Sequence, residues 1–202
     1  MGHTHYNELA NDGHIIYAAT RSTGQVEEGP PGFSATTIDN GVVSWKFKPI
    51  REWPFAMITS PSDRRLMVNS SSAVLRGVVA VRARVWAETM TGVMLSADNA
   101  QQQPMHPVEP GIWTAGWDST TVADGPHSLT VKTRTNNSHT AVDTITVCVD
   151  RQGQYHEPRR SPIDYENATG PWPEKHILGT QLGPNENGRH WPSKRERQKA
   201  AQ

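Results

Sequence analysis

Two histidines, His3 and His5, stand two positions apart in the tetrapeptide Gly2-His3-Thr4-His5. In extended backbone, residues at i and i+2 project to the same side. Neutral imidazole is the commonest side-chain metal ligand, and a preceding glycine lets the backbone come close to whatever the rings hold. Such a pair can grip one ion, or set one ring on each ion of a dinuclear site whose metals lie roughly 3.5–4 Å apart. The bland alternative is a solvated pair with no ligand. Glu8 and Asp12 follow closely. A carboxylate there could receive an imidazole N–H and orient the ring, although loop carboxylates are more often simply solvated. His14 opens an apolar stretch and reads as a packed or edge histidine. His106, His127 and His139 are dispersed without ligand spacing. Cys148 is the single cysteine, which excludes an internal disulfide framework.

The elements that must position these residues read as short strands. The chain has 202 residues, with 20 basic and 20 acidic side chains, so no net field draws it to nucleic acid or a membrane surface. No apolar run approaches the roughly 20 residues of a membrane span. The 16 glycines and 15 prolines suit strands joined by turns. His14 to Thr20 reads as a short buried strand. Asn40-Gly41, between Phe33–Asp39 and Val42–Lys48, is the dipeptide best suited to a two-residue type I′ hairpin. By alternation Val43, Trp45 and Phe47 share one face, with Ser44, Lys46 and Lys48 on the other. The apolar face requires a covering layer that three short strands do not supply, so the expected cover is a region outside this sequence.

From Phe55 onward the text alternates regularly. Val79, Val81, Ala83 and Val85 share a face, as do Leu129, Val131 and Thr133, and then Ile145, Val147 and Val149. About six or seven such strands, separated by turn signals such as Ala123-Asp124-Gly125-Pro126, form the pattern of an immunoglobulin-like sandwich. Trp113, Ala115 and Trp117 fall together, either as core or as a carbohydrate-stacking platform, with core favoured. Beyond Asp150 the alternation stops, and nine Lys or Arg face six Asp or Glu. The tryptophans Trp172 and Trp191 predict an extended strap docked on the body. Ser193 to Gln202 reads as a frayed basic end, too short and interrupted to signal nucleic-acid binding.

Gly2-His3-Thr4-His5, running into His14-Ile15-Ile16-Tyr17, Ser22-Thr23-Gly24, Pro30-Pro31-Gly32-Phe33 and Gly41-Val42-Val43-Ser44-Trp45-Lys46-Phe47, resembles the C-terminal end of calcineurin-like metallophosphoesterases. In that family Gly-His-x-His is the last of the metal-site motifs, followed by closing strands of the catalytic sandwich. Trp113 to Asp118 and Asp124 to His127 resemble the immunoglobulin- or fibronectin-like domain that follows some bacterial members. The resemblance implies a mainly β chain in three parts. Residues 1–53 would be the end of the catalytic domain, 54–150 an immunoglobulin-like sandwich and 151–202 the strap and tail. It implies His3 on one ion and His5 on the other of two divalent metals (Mn, Fe or Zn), with a phosphoester as substrate. The family's earlier motifs precede the last one and are not in this sequence. The expectation is therefore a C-terminal portion that lacks an N-terminal catalytic region and has no activity by itself. The competing expectation is a non-catalytic β-sandwich module that binds a protein or a glycan.

Overall fold

The computed structural model describes residues 6–13, 15–21, 23, 30–68, 73–156 and 167–178. The chain is mainly β, with strands β1 (Glu8–Asn11), β2 (Ile16–Ala19), β3 (Gly32–Asp39), β4 (Val42–Pro49) and β5 (Phe55–Ser60) in its first third. Then follow β6 (Val74–Leu75), β7 (Val78–Trp86), β8 (Gly92–Ala97), β9 (Gln103–Pro104), β10 (His106–Glu109), β11 (Ile112–Asp118), β12 (Gly125–Arg134) and β13 (Thr140–Val149). Among the described residues, no helix is long and apolar enough to cross a membrane.

Strands β5 to β13 form a β-sandwich. One sheet runs β10-β11-β7-β5 and the other β6-β13-β12-β8-β9, with β6 parallel to β13. Alternation builds the layer between them. Val81, Ala83 and Val85 of one sheet face Leu129, Val131, Ile145, Val147 and Val149 of the other, all buried. Trp117 joins this core and Trp113 packs half-buried against it, the placement expected of core aromatics.

The first strands make two antiparallel hairpins, β1–β2 and β3–β4. Asn40 and Gly41 close the second with φ of 51° and 81°, the left-handed values that a type I′ turn requires. At its other end, a β-carbon on Gly32 would run into the Phe47 ring and the Lys48 carbonyl, so only glycine fits there. Asp39 docks the hairpin on the sandwich by accepting from Thr59 Oγ1 at 2.8 Å and Arg82 Nε at 2.9 Å.

Two expectations change here. The stretch around β2 is largely open rather than buried, with Ile15 just before the strand 54% exposed and Tyr17 within it 46% exposed. The face of Trp45 and Phe47, in turn, is covered from within the chain. Leu9 of β1, Leu66, and Trp172 and Ile177 of the C-terminal strap close over it. The strap is held by a bridge between Ala10 and Ala168 and by Thr169 N–H donating to the Leu9 carbonyl at 2.8 Å. The expected strap docking therefore holds at Trp172, whereas Trp191 lies outside the described residues.

Strand β4 is also buried on the side that alternation assigns to solvent. Ser44, Lys46 and Lys48 are all enclosed, because this side packs on the sandwich rather than facing water. Their polar atoms find acceptors there. Lys46 Nζ donates to the carbonyls of Ala56 at 3.0 Å and Val142 at 2.6 Å. Lys48 Nζ donates to the Pro49 carbonyl.

Candidate functional site

His3 and His5, the expected metal ligands, lie outside the described residues, as does His14. What the fold does define is the chain directly after them. Tyr6 and Asn7 are buried, and Asn7 is clamped from both ends of its amide. Its Nδ2 donates to the His176 carbonyl of the strap at 2.9 Å, and its Oδ1 accepts from Arg21 N–H at 3.0 Å. Four residues on, Asn11 Nδ2 donates to the carbonyls of Arg65 and Met67 at 3.0 and 2.8 Å. Strand β1, with a buried asparagine on either side of Leu9, is thus pinned to β2, to the strap and to the turn at Arg64–Leu66.

Glu8 sits half-buried on this strand. Burial pushes its carboxyl above the usual range, and a hydrogen bond with Tyr6 pulls the other way. Asp12 caps the β1–β2 turn by accepting from Ile15 N–H at 2.6 Å. Among the described residues no three His, Cys, Asp or Glu side chains gather as a metal-binding group.

The charged groups that the structure does bring together are at another place. Asp143 of β13, with a fully enclosed side chain, receives Lys175 Nζ of the strap at 2.6 Å and Lys46 Nζ of β4 at 3.2 Å. Its second oxygen accepts from Ile58 N–H of β5 at 2.8 Å. Burial opposes ionisation of Asp143. The two ammoniums and the Ile58 N–H outweigh it and hold the carboxyl below the usual range. Burial likewise brings Lys175 down from the usual lysine value, against the pull of Asp143. Nearby, Asp63 accepts from Arg65 Nε at 2.9 Å and from Thr146 N–H at 2.8 Å, and the Arg65 guanidinium lies 3.7 Å from the centre of the Trp172 ring. Taken together, Lys46–Asp143, Lys175–Asp143 and Arg65 against Trp172 tie the hairpins, the sandwich and the strap to one another, and their chemistry is adhesion. Sequence reasoning missed it because nothing near Lys46 or Lys175 in the chain announces Asp143.

A second missed feature is a cleft between the β4–β5 connection, the end of β7 and the β12–β13 turn. A cavity of about 590 Å³ is lined by Trp53, Trp86, Arg84, Glu88, Asn137 and His139, among others. A second cavity of about 690 Å³ shares Trp53, Pro54 and His139 with it and reaches Glu174 and His176 of the strap. Trp53 is 56% exposed. The available signal was an isolated tryptophan in the connection between two strands, outside any alternating face.

No protein-family model matches the chain, and no curated protein matches it. Among solved structures the chain is similar to the X-ray structure of the endo-β-1,4-mannanase from Thermotoga petrophila, at 20% identity and a TM-score of 0.42. That alignment covers 51% of this chain and 21% of the mannanase. At so low a TM-score the likeness assigns neither fold nor activity to this chain.

Proposed function

We propose that the chain is the C-terminal part of a calcineurin-like metallophosphoesterase. Residues 1–53 would close the catalytic domain, 54–150 would form its immunoglobulin-like companion, and 151–202 would strap the two together. The observation that carries this reading is Gly2-His3-Thr4-His5 placed directly before a pinned strand. Asn7 and Asn11 hold β1 from both sides, so the segment leaving Tyr6 starts from a fixed point. Such anchoring is what a pair of ligands needs if it is to meet others from elsewhere.

Two further observations support it. Ile15, Tyr17, Phe33 and Ile38 leave a set of exposed apolar side chains on the two hairpins, the kind of surface that another layer covers. The sandwich has strand order β10-β11-β7-β5 against β6-β13-β12-β8-β9, which is compatible with the two-sheet arrangement of immunoglobulin-like domains.

The donor chemistry fits the implied metals in part: paired imidazoles suit Fe or Zn, whereas Mn would need carboxylates to complete its ligand set. His3 would hold one divalent ion and His5 the other. Bound there, such ions lower the pKa of water and neutralise charge on phosphoryl oxygens. The pinned β1 would fix where the two rings stand, and half-buried Glu8 is the carboxylate nearest them in sequence. The remaining ligands would come from an upstream catalytic region, which would also shape the phosphoester site.

The test is an assay on the chain extended by its upstream-encoded segment. With Mn²⁺ and bis-p-nitrophenyl phosphate, the extended protein should turn over, and His3→Ala or His5→Ala should cost at least about a hundredfold. His106→Ala, on an exposed strand remote from the pair in sequence, should leave the rate unchanged. The 202-residue chain should be inactive. Metal-dependent turnover by that short chain, or an inactive extended protein, would overturn the proposal.

A further inference from the structure

We propose that the cleft between Trp53 and Trp86 binds a neutral oligosaccharide. This site is independent of the phosphoesterase reading. It begins from how the tryptophans are placed. Trp45, Trp117 and Trp172 are buried, and Trp86 and Trp113 are half-buried, whereas Trp53 leaves 56% of its surface to water. An indole left in water at the mouth of a cavity forfeits the gain of burial that its siblings realise.

The ring is also braced. The Lys48 ammonium stands 4.3 Å from the Trp53 ring centre, and Lys48 itself is buried. One face of the indole is therefore occupied by the protein. More than half of the residue's surface is left to solvent. Trp86, which lines the same cavity, packs against Phe55 at 5.2 Å and the Arg84 guanidinium at 5.3 Å. Rigid aromatic walls take a ligand without the cost of ordering them.

The rim selects the ligand class. Within the described residues, the side chains of Glu88, Asn137 and His139 have no hydrogen-bond partner, although all three line the cavity. They supply acceptors and donors together, with the Arg84 guanidinium as a further donor. A purely apolar ligand would leave these groups unpaired on desolvation, which is costly. An anion would meet Glu88 as well as Arg84, and a cation the reverse. The one carboxylate and one guanidinium balance, which favours a neutral ligand. A pyranose meets all the conditions: an apolar C–H face for the indole and hydroxyls that both donate and accept. The first cavity, about 590 Å³, falls within the roughly 300–1,000 Å³ of small-ligand sites. The adjoining one continues past Trp53, so that ring would stand between successive sugar units.

The test uses the whole 202-residue chain, with cellohexaose, xylohexaose, maltohexaose and chitohexaose as probes in titration calorimetry and tryptophan fluorescence. At least one should bind saturably, with a Kd on the order of 10⁻⁵–10⁻³ M. Trp53→Ala should weaken it about tenfold or more, the loss of one stacked aromatic contact. Trp53→Phe should restore part of the affinity. Asn137→Ala, in an exposed turn, should weaken binding severalfold with an unchanged circular dichroism spectrum. Trp113→Phe, which touches the core and not the cleft, should leave affinity as it was. Absence of binding to all four probes would overturn the proposal, and so would binding that survives Trp53→Ala. In the upstream-extended chain, iodide-protected Trp53 with no sugar response would assign the cleft to that polypeptide instead.

Discussion

The sandwich and the hairpins beneath the strap are both buried β structure, yet they cohere differently. Between the sheets the contacts are aliphatic and many, and any one residue is a modest share of the whole. Around β4 the apolar cluster is small, consisting of Leu9, Trp45, Phe47, Leu66, Trp172 and Ile177, and its elements come from distant parts of the chain. Directed polar bonds do the rest, through Asn7, Asn11, Asp63 and the Lys46–Asp143–Lys175 cluster. Where an apolar core is too small to specify an arrangement, paired and saturated polar groups can specify it instead. A buried charge that loses its partners is then costly.

The sharpest way to break this contrast is at Asp143. Asp143→Ala removes the counter-charge of two enclosed lysines and the acceptor of the Ile58 N–H, leaving Lys46 only its neutral carbonyl partners, and we expect a loss of about 4 kcal/mol in urea unfolding. Replacing all three charges together, as Lys46→Met, Asp143→Leu and Lys175→Met, should cost less than the single change, because no ion is left stranded. A triple variant less stable than Asp143→Ala would show that the cluster contributes more than it costs to bury. The native cluster also sets an acid limit. Its stabilisation is complete above the ordinary carboxylate range and is lost as pH falls through the lowered pKa of folded Asp143.

Trp172→Ala should cost about 3 kcal/mol and expose the Trp45–Phe47 face. Its signature should differ from that of Leu129→Ala in the sandwich, of comparable size. The strap variant should show separated transitions and early proteolysis before residue 172, while the sandwich variant should keep one cooperative transition. Identical behaviour of the two would erase the distinction between the regions.

A smaller effect belongs to the sandwich alone. His127 Nδ1 faces Asp98 Oδ2 at 2.5 Å, and its Nε2 faces the Ala123 carbonyl at 2.7 Å. Both ring nitrogens thus meet acceptors, which favours the imidazolium. Burial works against this charge, but the Asp98 hydrogen bond, with that to Ala123, prevails and raises the pKa above the ordinary imidazole value. The contribution is complete below that ordinary value and is lost as pH rises through the raised one. We expect a fall of under about 1 kcal/mol across that window, absent in His127→Gln, from urea midpoints at successive pH values.

How far these elements could be read from the residues divides along the same boundary. Val81, Ala83 and Val85, or Ile145, Val147 and Val149, announce their faces because one side of each strand meets the core. Asn40-Gly41 announces its turn because the requirement for positive φ is local. The same rule misplaces Lys46 and Lys48, which alternation sends to solvent and the fold encloses. It also leaves Trp45 and Phe47 without a cover, because Trp172 and Ile177 lie far along the chain. The Trp53–Trp86 cleft was equally hidden, since it exists only where a connection, two strand ends and the β12–β13 turn meet.

By itself, then, the sequence determined the strands, the hairpin turn and the sandwich layer. These follow from period, turn chemistry and residue type, all of which act over a few neighbouring residues. Only the tertiary structure decided that β4 is buried on both faces, that Asp143 collects two lysines, and that Trp53 stands over a cleft. Each of these depends on which distant segment supplies the partner, and burial in a folded chain is a property of the pair rather than of either residue.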